Sequence, residues 1–314
     1  MNLLYYKNTK NINTYLSAFN KEITEIETPV INKEEKYNYL VDKFINIYNI
    51  NKKDLKDPKM EFKYWCFRYI QKIKLIELPS ISLNLNYEAV LVDFRIIPHV
   101  EFIIRNNILK LGSDWSFTVI CGNLNYDFMI NLCNSISNNI KVIKLNYDNL
   151  TTSEYSTLLA SRDFWNLLIG EKIIIYQDDS IIFKNNVNDF IMWDYIGAPF
   201  YKQNKVTPNG VGNGGFSLRT KQCMIEIINK FYINDTIMSP AVIKWMVSTN
   251  STVNPEDIYF SQNMQEHNIG IVANWDSAFK FSTESIYNPD SFAGHGFWIG
   301  DINWKKRLEK LINI

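Results

Sequence analysis

The chain has 314 residues, enough for one large domain with a smaller companion, and 46% of them are hydrophobic, enough for a sizeable core. Lys plus Arg and Asp plus Glu both number 33. This zero balance argues against nucleic acid or an anionic membrane as the main partner, because both call for a basic surface. The four cysteines, Cys66, Cys121, Cys133 and Cys223, have no C-x-x-C spacing and read as free thiols of a reducing compartment.

The first twenty residues lack an apolar signal core, and no apolar run is long enough to span a bilayer. The expectation is a cytoplasmic protein, in the host cytoplasm if the source is viral. Residues 1–80 read as a helical N-terminal region. Tyr37, Leu40, Val41, Phe44 and Tyr48 share one helical face, and Phe62, Trp65, Tyr69, Ile73 and Ile76 form a second stripe, with Asp57 and Pro58 between them. Ile81, Leu83, Leu85 and Tyr87 alternate as a connecting strand would. The main domain, 81–314, then runs strand 89–94, helix near 100–111, strand 115–121, helix 126–136, strand 140–145, helix 153–168 and strand 173–176. That alternation predicts an α/β fold with a Rossmann-type parallel sheet whose ligands bind beyond the carboxyl ends of the strands. The second half is mixed: short strands at 195–200 and 215–218, helices at 222–232 and 256–266, and strands at 269–275 and 279–282.

The most informative stretch follows the last strand of the parallel half. The apolar run ends on Gln177, Asp178, Asp179 and Ser180. Two adjacent carboxylates after a buried strand are costly unless a cation sits there, and a divalent metal holding a diphosphate is the usual one. On an extended segment Gln177 and Asp179 share a face and Asp178 points away. Asp179 is therefore the expected metal ligand with Gln177 beside it, and Asp178 is expected to bond backbone or a sugar hydroxyl. An Asp-Asp-Ser turn in solvent is the ordinary alternative. Further on, Gly212, Asn213, Gly214 and Gly215 precede a strand-like Phe216-Ser217-Leu218. They would let backbone approach a donor sugar or acceptor closely. No dinucleotide fingerprint is present, since that needs a helix after the glycines.

Five ordered stretches, FW with IIIYQDDS, DYIGAP, VGNGGFSLR, PEDIYFS and GHGFW, together resemble a family of GT-A glycosyltransferases of unassigned specificity. The resemblance spans roughly residues 84–300. Asp178 stands where that family more often has Thr, and Phe200 where it usually has Trp. The resemblance implies a GT-A-like fold, a nucleotide-binding parallel half followed by an irregular acceptor half. It implies metal-dependent transfer of a sugar from a nucleotide-diphosphate donor to a hydroxyl of a glycan or protein acceptor, with Mn²⁺ or Mg²⁺ as cofactor. It further implies that an acid of the Glu256-Asp257 pair, Asp257 ahead of Glu256, is the general base, and that His295 joins Asp179 at the metal. Each has an ordinary reading. Asn254, Pro255, Glu256 and Asp257 make a good helix start, with Asn254 as N-cap and Pro255 at the first position. A lone His295 can cap a carbonyl. Arg95, at the end of the first strand, either grips the nucleotide or its phosphates or pairs with Asp93.

Two other classes remain open at this point. A nucleotidyltransferase acting on sugar phosphates also sets acids at strand ends, but the place after the first strand holds Phe94-Arg95-Ile96-Ile97-Pro98 instead of a glycine-rich basic loop. A non-catalytic carbohydrate-binding protein on the same fold is the third.

Overall fold

The computed structural model describes residues 33–312. The first 32 residues of the expected N-terminal region, including the segment weighed as a signal sequence, lie outside the described residues.

The parallel half follows the sequence closely. β1 (Tyr87–Val92), β2 (Trp115–Cys121), β3 (Ile140–Lys144) and β4 (Lys172–Tyr176) alternate with α3 (Val100–Leu111), α4 (Tyr126–Ile136), α5 (Thr152–Leu159) and α6 (Arg162–Leu167). Strands β1 to β4 are mutually parallel, in the order β3-β2-β1-β4. The sheet is then extended antiparallel by β7 (Phe216–Thr220), and that strand pairs with β6 (Tyr195–Ile196). The result is the α/β architecture that the sequence led us to expect, a parallel-rich sheet with a mixed second half.

Both sheet faces are buried, and the strands show it. In β4, Ile174 and Tyr176 enter one core while Ile173 and Ile175 enter the other. An apolar run without polar alternation is the mark of a strand covered on both sides. The first face is covered by α1 (Lys33–Tyr48), α2 (Pro58–Lys74), α3 and α4, the second by α5, α6, α7 (Lys221–Lys230) and α9 (Glu256–His267). Val41, Phe44, Phe62 and Ile70 of the first two helices belong to the same core as Leu91 and Ile174 of the sheet. The N-terminal helices are thus packed on the main domain, as the two stripes predict. Ile76 falls just past the end of α2.

Several local expectations are corrected. Residues 81–86 form no strand, and β1 begins only at Tyr87. The helix expected at 153–168 is two helices, because the Ser161 side chain accepts from the Phe164 amide at 3.2 Å and starts α6 afresh. The strand expected at 195–200 joins the sheet only over Tyr195–Ile196, while Pro199 forms a separate bridge with Val211. The strands expected at 269–275 and 279–282 give way to α10 (Trp275–Phe281), leaving an isolated bridge at Val272. Asn274 caps that helix through Ser277 N at 2.8 Å, while Ala278 and Phe281 pack inward. Helices α8 (Pro240–Thr249) and α11 (Trp304–Ile312) were not anticipated.

A second sheet, also unanticipated, decides the site. β5 (Ser180–Ile182) lies antiparallel to β9 (Ala293–His295), which is parallel to β8 (Ser282–Thr283). Ser180 is opposite His295, and the Gly296 amide donates to the Asp179 carbonyl at 3.0 Å. No helix among the described residues is long and apolar enough to cross a membrane.

Candidate functional site at the carboxyl edge of the sheet

β4 ends at Tyr176, and residues 177–180 close a turn in which the Ser180 amide donates to the Gln177 carbonyl at 3.2 Å. The extended geometry assumed for residues 177–179 is therefore corrected, although the two carboxylates still diverge. The Gln177 amide donates to the Gly215 carbonyl at 3.0 Å, continuing the β4–β7 ladder past Tyr176 and Phe216. That one bond brings the acidic turn and the glycine run side by side.

Asp178 bonds cationic side chains in place of the expected backbone donor. Its carboxylate meets Lys63 Nζ at 2.6 Å and Arg95 at 2.9 Å, and the buried His99 ring lies against its carbonyl at 3.0 Å. Burial works against its charge, but Arg95 and then Lys63 outweigh it and hold the carboxyl well below its ordinary value. Arg95 is correspondingly a paired residue. It forks onto Asp93 through Nε and Nη2 and spans to Asp178. Its place in a donor site is therefore that of a bracket between two carboxylates.

Asp179 has a different set of neighbours. One oxygen lies 3.2 Å from His295 Nε2 and the other 2.7 Å from Lys59 Nζ. Burial again opposes the charge, and His295 followed by Lys59 lowers the carboxyl despite it and despite the neighbouring Asp178. The imidazole, in turn, is pushed up to about 10: burial lowers it, but Asp179 and then Glu284, 3.5 Å from Nδ1, outweigh that. The structure thus brings Asp179 and His295 together, and around the acidic turn it adds Lys59, Lys63, His99 and Glu284, which sequence reasoning did not name. Lys59 and Lys63 did leave a signal, two lysines one turn apart in the first turns of a helix whose remaining inner positions are apolar.

The glycines are there for room. A Cβ on Gly215 would stand 2.2 Å from His295 Nε2, and one on Gly197 only 1.8 Å from the Gly212 carbonyl oxygen. Gly212 itself lies under the Phe200 ring. Asn213 adopts a left-handed backbone, φ 64°, with its side chain donating to Glu284 and accepting from the Gly215 amide at 3.3 Å. A Gly215→Ala substitution is therefore expected to push the His295 ring off Asp179, costing about 1–3 kcal/mol of stability by overpacking. Urea unfolding reads that cost, and a variant as stable as the parent would refute the close contact.

On the other side of the glycines stands the acid pair. Gly214 N donates to Asp257 Oδ2 at 2.9 Å. Glu256 is closed on the fully buried Arg219 at 2.8 Å, and Arg219 lies between the rings of Tyr195 and Phe260. Of the two candidate bases, Glu256 is thus committed to a buried pair, while Asp257 is only partly buried. Burial, and next to it Glu256, pushes the Asp257 carboxyl up to about 7. The helix-start reading is corrected in one respect. Pro255 precedes the first turn of α9 as its cap, while Asn254 is buried, donating to the carbonyls of Ile233 and Thr236 at 2.9 Å.

Two donors, Asp179 and His295, could hold a divalent cation. Their 3.2 Å separation suits neighbouring ligands of a six-coordinate ion with bonds of about 2.1 Å. Among the described residues no cluster of three or more His, Cys, Asp or Glu is arranged to hold a metal ion. The fit is therefore to an ion that takes its other ligands from water and substrate phosphates, the habit of Mg²⁺.

The fold and this edge define an α/β protein with an acid pair, a glycine run and a second acid pair converging beyond the strands. A family model described as a protein of unknown function (DUF5672) matches residues 139–295, half of the chain, and the chain belongs to that family. No curated protein matches. Among solved structures, the inositol-1-phosphate CTP transferase from T. maritima aligns with a TM-score of 0.41 at 10% identity, over 74% of this chain and 96% of that one. Mouse xyloside xylosyltransferase 1 aligns with a TM-score of 0.43 at 10% identity, over 69% and 98%. The glycosyltransferase GlyE of Streptococcus pneumoniae TIGR4 aligns with 0.41 at 11% identity, over 73% of this chain and 63% of that one.

Proposed function

We propose that the protein is a metal-dependent glycosyltransferase that moves a sugar from a nucleotide-diphosphate donor to a hydroxyl of a glycan or protein. One observation carries this reading: Asp179, His295 and Gly215, from three separate motifs, meet at the carboxyl edge of the sheet, and Gly214 links them to Asp257. The motif resemblance implies the same chemistry.

In this reading Asp179 and His295, the latter after giving up its proton, would hold Mn²⁺ or Mg²⁺, which when bound would neutralise the charge that develops on the leaving diphosphate. Gly214 and Gly215 let the backbone pass directly against Glu256 and His295, where a side chain would collide, and so keep the glycine run at the edge where the donor would lie. Asp257 takes the proton of the acceptor hydroxyl. Its carboxyl, pushed up to about 7, is basic enough to accept that proton and is ionised in an adequate fraction at neutral pH. Gly214 N donates to one of its oxygens at 2.9 Å and Ile258 N to the other at 2.8 Å, and together they fix the carboxylate's orientation. Arg219 and Glu256 form the floor beneath.

Thermal unfolding with a panel of nucleoside diphosphates tests the donor site. Uridine or guanosine diphosphate at ~100 times its dissociation constant should raise stability by about 2.7 kcal/mol, and only when Mn²⁺ or Mg²⁺ is present. Asp179→Asn should remove that metal-dependent increment. A protein that no nucleotide stabilises with metal would overturn the proposal. Release of pyrophosphate instead of nucleoside diphosphate in turnover would identify a nucleotidyltransferase.

A further inference from the structure

The two lysines that α2 sends to this edge differ in one respect. Lys63 Nζ is 2.6 Å from Asp178 with a side chain 4% exposed, so it is fixed in the interior. Lys59 Nζ is 2.7 Å from Asp179 with a side chain 43% exposed, so it reaches the acid from the solvent side. We propose that Lys59 is a donor-site residue, which holds Asp179 in the free protein and turns to the diphosphate when donor and cation enter. This rests on the donor-site reading above and adds to it a residue from the N-terminal helices.

Charge balance is the first argument. The edge carries four carboxylates, Asp93, Asp178, Asp179 and Glu284, and the ammonium and guanidinium groups of Lys59, Lys63 and Arg95 are already seated on three of them. A divalent cation arriving alone would meet a ligand, Asp179, already paired with Lys59. A dication arriving with a doubly negative diphosphate adds no net charge, and the diphosphate offers the displaced ammonium a new partner. Cation and nucleotide should therefore bind as a unit, with Lys59 exchanging one anion for the other. An ammonium on a four-carbon stem suits this exchange, being a compact charge with free rotation.

Placement is the second argument. Phe62 of α2 packs edge-on to Phe297 at 5.5 Å and against Trp298 at 5.1 Å, both directly after the His295 turn. One aromatic cluster therefore sets the distance between the helix that carries Lys59 and the loop that carries His295. Both cations reach Asp179 from a common support, and the N-terminal helices form a wall of the site.

Lys59→Met removes the charge and keeps the stem, and Lys59→Arg keeps a charge. Calorimetric titration is done on each full-length protein with MnCl₂ alone, then with uridine or guanosine diphosphate in saturating Mn²⁺. The expected result for Lys59→Met is Mn²⁺ binding tightened, and nucleotide binding weakened roughly tenfold or more, the scale of a lost bond to a charged group. Lys59→Arg should recover most of the nucleotide affinity. Unchanged nucleotide affinity in Lys59→Met, with the parent binding normally, overturns the role of the lysine and leaves the donor site standing. A parent protein that binds no diphosphate in Mn²⁺ overturns both.

Discussion

Asp257→Asn is expected to lower the proposed sugar transfer by a factor of roughly 10² to 10⁴, the usual contribution of a general base, and to leave the proposed metal-dependent nucleotide binding within twofold of the parent. An amide oxygen can still accept from Gly214 N or from Ile258 N, but the amide cannot take a proton, so the two effects separate. The pH profile gives a second readout. The carboxyl is raised from its ordinary 3.8 to about 7, first by burial and then by Glu256. The base form therefore accumulates as pH rises through about 7, and turnover of the parent should climb over that interval, whereas the variant's residual rate should be flat there. The same shift makes the folded protein hold a proton that the unfolded chain releases, so this group's contribution to stability declines from pH 3.8 to about 7. Glu256→Gln should behave differently, mainly destabilising, because it strips Arg219 of its buried partner. If Asp257→Asn retains turnover and merely melts earlier, the acid is only part of the helix start.

Asp178→Asn should cost about 3–5 kcal/mol of folding stability, the range for breaking a buried pair from one side. The amide leaves Lys63, 4% exposed, facing Arg95 with no anion between them. Asp179→Asn should cost less, since Lys59 can return to solvent and the lost imidazolium partner is still flanked by Glu284. The sign of the pH dependence follows from the direction of the shift. Asp178 is held below its ordinary 3.8, so its stabilisation is present above that value and is lost as pH falls through it. Guanidinium unfolding of both variants at neutral pH checks the contrast, and equal losses would mean that the two carboxylates share one environment.

These contrasts show where reading the chain by itself stops. The period-of-two argument separated Asp178 from Asp179, and they do face different partners, yet the segment is a turn and the partners come from elsewhere. Asn254 has the composition of a cap but serves as a buried bracket, because its side chain finds two carbonyls of the preceding loop. Residues 275–281 look β-like in apolar content, but a cap at Asn274 and an inward helical face outweighed that propensity.

What the sequence by itself determined is the parallel half, since its apolar runs and helical stripes are local patterns whose period names the element. It also singled out the adjacent acids after a buried strand and the glycines before another, because such acids are costly without a cation beside them and such glycines mark close approach. Only the tertiary structure decided how these residues combine. The antiparallel pairing of β7 with β4 sets the glycines beside the acids, and the pairing of β5 with β9 places His295 from more than a hundred residues away on Asp179. The packing of α2 on the main domain adds Lys59 and Lys63. Such contacts depend on strand register and helix docking, which are fixed by complementary surfaces far apart in the chain, and no local period encodes them.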